Sequence, residues 1–466
     1  MLVLTAKKEW LDAVRQGQAA WICAIATLLL LLASIASWQS HQNYSVTKTA
    51  VAKSERTRWL EQGEKGPHSA AHYGVYVLKP ELSLAMLDPG LRDHQGNVLR
   101  LEAHKRNDTV FRAIQDTIPM QRFGTLYPSF VLQALLPLLI ILVGYPLIAG
   151  EREQGTLKQL LAAGCSPTRL FFAKAALLMS VACVMLIPFA LFLLYSGLSL
   201  PNTHWLRVSL FALSYVSYLF IWCVLTIAIS SIMPTARRAL IVLLALWATS
   251  SLLLPKVAIS IATSKHPIES GQSFQAKLES QVYTPERLQA IAQFKQDTLL
   301  KHAVTNTADL PFDWSGEQLQ FGERYADKIF DTLFDTRTAK LSQQAQSYQW
   351  AALLSPYIAL QSLSMGFAGT DHMHHQHFTS AAEQHRRMMQ QVLNFDQRDH
   401  GHKSSGQYVA DQTLWSAIPT FNYQIPHLQH MINHYYVALF CLSVWLVLIC
   451  LSSVYGIRRL SKGMQK

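Results

Sequence analysis

The sequence predicts a mainly α-helical membrane protein in which six transmembrane helices carry two extracytoplasmic insertions, the first mixed α/β and the second mostly helical. Half of the 466 residues are hydrophobic and only 15% are charged, whereas soluble domains carry about 25% charged residues. The apolar residues lie in runs long enough to cross a bilayer as helices. Two long polar stretches, 40–126 and 262–433, remain between these runs, so a bundle made only of membrane helices is excluded.

Each membrane span is predicted from hydropathy, and aromatic residues at the span ends are typical of a membrane interface. No charged residue lies near the centre of a span, which argues against a transporter coupled to protons or ions. The predicted spans are 20–39, 127–149, 170–198, 205–232, 239–261 and 434–457.

The orientation of the chain in the membrane is predicted from the Lys and Arg residues of the short segments between the spans and at the termini. Segments 1–19, 150–169, 233–238 and 458–466 hold 12 basic residues, and an even number of spans separates them from one another. The stretch 262–433 holds 13 basic and 16 acidic residues. Because cytoplasmic loops carry the excess of Lys and Arg, both termini are predicted to be cytoplasmic.

The N-terminal segment 1–19 is predicted to form a cytoplasmic amphipathic helix on the membrane surface, with Trp10 and Leu11 on one face and Lys7, Lys8 and Arg15 on the other. A frayed polar tail is the alternative for this segment. A cleaved signal peptide also fits basic residues that precede an apolar run of this kind.

The two polar stretches have different patterns. In 40–126, a helical extension of the first span over 41–62 is followed by strands at 73–78 and 98–103, with turn signals between them. In 262–433, helical periodicity covers 269–302, 316–348 and 381–394. We therefore expect a small α/β lobe and a separate, mainly helical lobe.

The short loop 150–169 has the most informative local pattern. Gly155 is expected to end the preceding helix, Thr156 to cap a new short helix, and Gly164 to end it in a left-handed conformation. Its three leucines share one face, which suits docking in a groove of a soluble partner, although such a helix could also lie on lipid headgroups. Ser166 and Pro167 then start the next helix. The candidate docking residues are Glu151, Arg152, Glu153, Gly155, Thr156, Leu157, Leu160, Leu161 and Gly164.

Several function classes are excluded or disfavoured by the motifs. The chain has no GxxxxGK[ST] loop, so it is not predicted to hydrolyse ATP itself or to be an enzyme. The long polar stretches contain no cysteine, so no disulfide framework can link them. The basic pair Lys105 and Arg106 lies on the extracytoplasmic side, so a nucleic-acid partner is not expected.

The loop sequence 151–164, with its Glu-Arg-Glu-x-Gly-Thr-Leu element, and the following 166–174 resemble the type-2 ABC transporter permease family. Six spans, an N-terminal amphipathic helix and the lack of a nucleotide site are also features of that family. Segments 71–74, 87–90, 101–104 and 369–378 are similar to a bacterial subgroup with a large extracytoplasmic domain of unknown function.

This resemblance implies a coupling helix over 156–163 that sits on a separate ABC ATPase, two copies of which bind ATP and Mg. It also implies a second permease chain, identical or a sister, in a bacterial inner membrane. The resemblance leaves open whether a protein partner binds in the periplasm. Movement of the spans would then export a cargo or transmit force to the periplasmic lobes.

A cluster of histidines gives a second hypothesis. His372, His374, His375 and His377 lie within a few residues and could bind copper, nickel or zinc. The alternative is a polar helix start without a metal. With a metal, the chain would be a metal-linked transporter. A membrane-anchored metal-binding or sensing scaffold without an ATPase is the alternative of a different class. The acidic residues Glu323, Asp327 and Asp331 have helical spacing and are interpreted as a solvated face.

Overall fold

Long apolar helices dominate the computed structural model, which describes residues 8–11, 15, 17–110, 126–198, 204–402 and 407–462. In chain order the helices are α1 (Gln18–Leu60), α2 (Pro67–Tyr73), α3 (Arg92–Gln95), α4 (Pro128–Glu153), α5 (Thr156–Ala162), α6 (Pro167–Met185), α7 (Ile187–Leu198), α8 (Trp205–Ile232), α9 (Ala236–Lys265), α10 (Gly271–Val282), α11 (Pro285–Lys301), α12 (Trp314–Trp350), α13 (Pro356–Ala368), α14 (His372–Gly401), α15 (Gln412–Ala417), α16 (Leu428–Met431) and α17 (Tyr436–Lys462).

Six of the helices that the structure describes, α1, α4, α6, α8, α9 and α17, are long and apolar enough to cross a membrane. The mainly helical class with six candidate spans is therefore confirmed. Of the helix predicted over 1–19, only 8–11, 15 and 17–19 fall within the described residues, and the rest of that prediction lies outside them.

Prolines interrupt several of the membrane helices. The apolar run predicted as one span over 170–198 is divided into α6 and α7 at Leu186, two residues before Pro188. A proline removes one backbone donor and its ring clashes with the carbonyl group four residues earlier. In the same way, α4 contains a π-turn at Val131–Leu135 just before Pro137, and α9 contains one at Thr249–Leu253 just before Pro255.

The short loops meet at one end of the membrane helices, which we call the loop end (150–169, 233–238 and the last turns of α17). The Arg152 guanidinium donates hydrogen bonds to the backbone carbonyls of Ser231 and Met233. Leu460 of α17 is buried in the same hydrophobic cluster as Leu157 of α5. The loop end is thus built from three separate parts of the chain.

The opposite end carries a lobe formed by 40–110 and 266–434 together. Within the described residues its sheet has three short antiparallel strands, β1 (Val75–Leu78), β2 (Val98–Glu102) and β3 (Lys105–Arg106). One strand register pairs Val77 with Leu99. Helix α14 packs against both α2 and β2.

The two polar stretches share one hydrophobic core rather than forming the separate lobes expected from the sequence. Trp59 of α1 and Trp415 of α15 contact each other edge to face, and the Trp59 indole donates to the Trp415 carbonyl oxygen at 2.9 Å. Phe378 and Met389 of α14 are buried in the same cluster. Burial of these large apolar surfaces against each other stabilises a single unit.

Candidate functional site at the loop end

Helix α5 is the short helix that the loop sequence predicts. Gly155 precedes it with φ of 80°, a left-handed conformation that glycine adopts without steric cost. Thr156 is the first helical residue, and its hydroxyl donates to the Glu151 carbonyl oxygen at 3.2 Å. The expectation that Thr156 caps the helix is therefore wrong, because the residue at the capping position is Gly155.

Gly164 follows the end of α5 in a left-handed conformation, as the sequence predicts. Gly164 has φ of 86°, and its amide donates to the Leu161 carbonyl oxygen at 3.1 Å. The next helix begins as the Ser-Pro pair indicates: the Ser166 hydroxyl accepts a hydrogen bond from the Arg169 amide at 3.3 Å, and Pro167 is the first residue of α6. This geometry fixes the direction in which α5 leaves and rejoins the membrane helices.

The leucine face of α5 packs against its own chain. Leu157 and Leu161 are 6% and 9% exposed and belong to the main hydrophobic cluster of the membrane helices, and Leu160 packs partly buried against that cluster. The expectation that these leucines dock in a partner is therefore corrected. The surface that α5 leaves exposed consists of Lys158, Gln159, Ala162, Ala163 and Gly164, which we call the outer face.

The three charged residues before α5 each have a partner at the loop end. Glu153 accepts a hydrogen bond from the Ala236 amide at 3.1 Å, which joins α4 to the start of α9. Arg152 binds backbone carbonyls at the end of α8. Glu151 lies 2.9 Å from the Lys174 ammonium group. The Glu-Arg-Glu element therefore connects α4 to three other helices.

Lys174 is the residue at this site that sequence reasoning missed. It lies in α6, is 1% exposed, and places its Nζ 2.9 Å from carboxylate oxygens of both Glu9 and Glu151. A lysine within the apolar part of a predicted span, close in sequence to a loop with acidic residues, was the available signal. This ammonium group joins the N-terminal segment, α4 and α6 by charge.

A second set of buried polar groups joins the membrane helices to the lobe. Arg207 of α8 is fully buried and donates to the Gly366, Phe367 and Pro426 carbonyl oxygens at 3.0 to 3.1 Å, and to Nε2 of His374 at 3.2 Å. His374 Nδ1 in turn lies 2.5 Å from Asp371, so this imidazole bridges a guanidinium and a carboxylate.

Hydrogen bonds and nearby groups keep Asp371 ionised in this bridge. Burial alone raises the pKa of the Asp371 carboxyl, but its pairing with His374 and a hydrogen bond from the Tyr435 hydroxyl at 2.7 Å bring the pKa well below its usual range. Burial lowers the pKa of His374. The ends of α8, α13 and α17 are therefore held together through ionised Asp371.

Asp88 anchors the first polar stretch to the membrane helices. Its carboxylate accepts hydrogen bonds from the Ser364 hydroxyl and from the Gln133 amide, the latter at 3.4 Å. Gln133 also contacts the Tyr215 hydroxyl at 2.9 Å. Gln133 of α4 thus contacts both α8 and the lobe.

The four clustered histidines point to separate partners. His372 Nδ1 lies 3.4 Å from the Gln95 amide, His374 binds Asp371 and Arg207, His375 contacts the Thr109 hydroxyl at 3.3 Å, and His377 Nδ1 contacts the Tyr423 hydroxyl at 2.9 Å. All four begin helix α14, where successive side chains leave the helix in different directions. The structure therefore does not bring these four side chains together as one ligand set.

Another histidine group does converge. Among the residues that the structure describes, His68, His72 and His104 place one potential ligand atom each within 4.8 Å of one another. Burial, with His104 and His72 close by, lowers the pKa of His68 to about 4. Sequence reasoning missed this group because His104 is more than thirty residues from His72 in the chain.

Two of the acidic residues interpreted as a solvated face, Glu323 and Asp327, are instead part of a buried ionic network, whereas the Asp331 side chain is 45% exposed. Arg386 of α14 is 1% exposed and pairs with Glu323 at 2.9 Å, Glu383 at 2.8 Å and Asp327. Asp331 pairs with Arg387 at 2.5 Å. Although burial alone raises the pKa of Glu323, contacts with His104 and Arg386 lower it to about 2.

Comparison with known families gives two matches that divide the chain. Residues 103–266 match the family described as "ABC-2 family transporter protein", and residues 273–424 match a "Domain of unknown function (DUF3526)". No curated protein matches the chain. The first match covers α4 to α9 with the short loops 150–169 and 233–238, and the second covers most of the helical part of the lobe.

Proposed function

We propose that this chain, an ABC-2-type transporter permease with an additional domain of unknown function, couples ATP hydrolysis on a separate ATPase to movement of its membrane helices and its lobe. The observation that carries the proposal is the packing of α5. Its leucines lie against the membrane helices, while Lys158, Gln159 and Ala162 face outward. A partner that presses on the outer face therefore acts directly on the hydrophobic core behind it.

The ionic contacts behind α5 provide the next step. Lys174 holds Glu151, at the end of α4, and Glu9 of the N-terminal segment to the start of α6. Because a lysine ammonium is a compact charge on a flexible stem, it can keep both carboxylates while the helices change their angle. Movement of α5 and α4 is in this way passed to the N-terminal segment and to α6.

The lobe is joined to the same helices, so movement of the helices reaches it. Helix α1 runs without interruption from the membrane region to Leu60, and Trp59 near its end is buried in the core of the lobe. Arg207 and Asp88 join α8 and α4 to the lobe through buried hydrogen bonds. These connections support a mechanism in which the lobe moves with the spans, either to export a cargo or to transmit force to a partner.

The assembly that we propose has two copies of an ABC ATPase, which bind ATP and Mg, and two permease chains, identical or sister, in a bacterial inner membrane. Both termini and the outer face of α5 lie in the cytoplasm, and the lobe lies in the periplasm, where a protein partner could bind it. The excess of Lys and Arg in the short loops supports this orientation. No nucleic acid takes part.

Copurification tests the proposal. The full-length chain is affinity-purified from its native membrane in mild detergent, and hydrolysis of MgATP in the eluate is measured. Ala162→Arg adds a bulky charge at the centre of the outer face without touching the buried leucines. We expect it to reduce the copurified ATPase activity at least tenfold, since a charge without a partner at a packed interface is costly.

Ala276→Arg, an exposed alanine on α10 of the lobe, is the matched control and should leave the ATPase bound. Retention of the ATPase by Ala162→Arg would show that α5 is not part of the interface with the ATPase. Purification of the unaltered chain without any ATPase would support the scaffold hypothesis instead of a permease.

A further inference from the structure

Three imidazole rings from two elements of the lobe form a compact group. His68 and His72 lie one turn apart on α2, with their Nε2 atoms 3.2 Å apart, and His104 lies in the turn between β2 and β3. The three ring centroids are 4.6 to 5.2 Å from one another. His72 is exposed, so solvent reaches the group from one side.

The backbone at His104 is held in a conformation that most residues avoid. Its φ is 61°, in the left-handed region, which costs a residue with a side chain about 1 kcal/mol. The His104 amide donates to Glu323 Oε1 at 2.9 Å, and its Nδ1 lies 2.7 Å from the same oxygen. Glu323 thus holds the backbone by a hydrogen bond and lies beside Nδ1 of the ring, so that Nε2 is the nitrogen available to another group.

A carboxylate on the second nitrogen of a histidine is the arrangement that orients imidazoles at metal centres. Bonds of about 2.0–2.1 Å to a tetrahedral ion place two nitrogen ligands about 3.3 Å apart, close to the 3.2 Å between His68 and His72. Three histidines leave a fourth position for water or another ligand. A nitrogen-only set favours zinc or copper(II) over calcium and magnesium, which prefer oxygen.

We propose that His68, His72 and His104 form a three-histidine site for a divalent transition-metal ion, Zn²⁺ or Cu²⁺, with Glu323 as the residue that positions His104. The site joins the two polar stretches, because its histidines come from 40–110 and Glu323 comes from α12. A bound ion adds a link between α2 and the turn that joins β2 to β3, and leaves one coordination position open to solvent. This site is distinct from the cluster at the start of α14, and it does not depend on the proposed function.

The test is titration of the purified full-length chain, stripped with EDTA, with ZnCl₂ or CuCl₂ in competition with a chromophoric chelator. The unaltered chain should bind one ion that His72→Ala and His68→Ala bind at least tenfold more weakly. Glu323→Gln should weaken binding about 10- to 100-fold through the orientation of His104. His72 is exposed, so His72→Ala is expected to fold normally.

His377→Ala is the matched control, because His377 belongs to the separate cluster and contacts Tyr423. It should bind the ion as the unaltered chain does. Substitution with Co²⁺ gives a second readout, since visible absorption bands of a tetrahedral site should appear in the unaltered chain and disappear in His72→Ala. Equal affinities of the unaltered chain and His72→Ala, or a loss of binding in His377→Ala alone, would overturn the proposal.

Discussion

The lobe and the loop end each bury a basic side chain among carboxylates, but they hold it differently. In the lobe, Arg386 binds three carboxylates of α12 and α14 through several of its nitrogens. At the loop end, Lys174 binds Glu9 and Glu151 through one nitrogen.

The difference is one of geometry. A guanidinium is planar and fixes the direction of each hydrogen bond, whereas an ammonium group holds its partners without fixing their orientation. In the lobe the guanidinium therefore fixes the orientation of its carboxylate partners, whereas at the loop end the ammonium group restricts the orientation of Glu9 and Glu151 less.

The largest effect is expected from Arg386→Met, which leaves three carboxylates in the lobe without their common partner. Removing one member of a buried ionic network costs about 3–5 kcal/mol. The measurement is chemical unfolding of the purified chain in detergent, followed by tryptophan fluorescence. Arg387→Met is the matched control, because Arg387 is 32% exposed and its loss should cost about 1 kcal/mol. Equal losses in the two variants would mean that the lobe does not depend on the buried arginine.

Lys174→Met is expected to have a smaller effect on stability, about 3 kcal/mol, because the Glu151 carboxylate is partly exposed and can regain water. Adding Glu151→Gln should recover about 1 kcal/mol, since it removes one of the unpaired charges. The outer face of α5 is unchanged in both variants, so the ATPase should still copurify. If the single and double variants unfold alike, the ammonium group does not join these segments as we describe.

The smallest effect is expected from Gly155→Ala, which tests the entry to α5. A Cβ at Gly155 meets no atom within 4 Å, so only the left-handed backbone opposes the change, at a cost of about 1 kcal/mol. Gly150→Ala is the control, and its effect on stability should have the opposite sign. Gly150 is helical, and a Cβ there would meet Pro146 at an ordinary 3.5 Å. Alanine at this position should therefore stabilise α4 by about 0.5–1 kcal/mol. Thermal unfolding of both variants measures the difference.

The sequence predicts those features that depend on neighbours in the chain. Hydropathy predicts the spans, Gly155 and Gly164 bracket α5, and Ser166 with Pro167 starts α6. Each of these signals depends on residues within one or two turns of each other. The family resemblance read from the same segment is confirmed by the matched region 103–266.

Features that depend on contacts between distant segments were not predicted. An amphipathic pattern shows that Leu157 and Leu161 share a face, but not whether that face packs on its own chain or on a partner. Acidic residues at helical spacing look alike whether exposed or buried, and only the fold brings Glu323 to Arg386, 63 residues away. The hydrophobic core that the two polar stretches share was missed for the same reason.

Helix α1 has a mechanical consequence because of its length. Its 43 residues extend over about 65 Å at about 1.5 Å per residue, of which the hydrocarbon layer takes about 30 Å. The remaining part acts as a lever arm: a tilt of about 10° within the bilayer displaces its far end by about 6 Å. Since Trp59 lies at that end in the core of the lobe, even a small tilt of α1 would displace the part of the lobe that packs around Trp59.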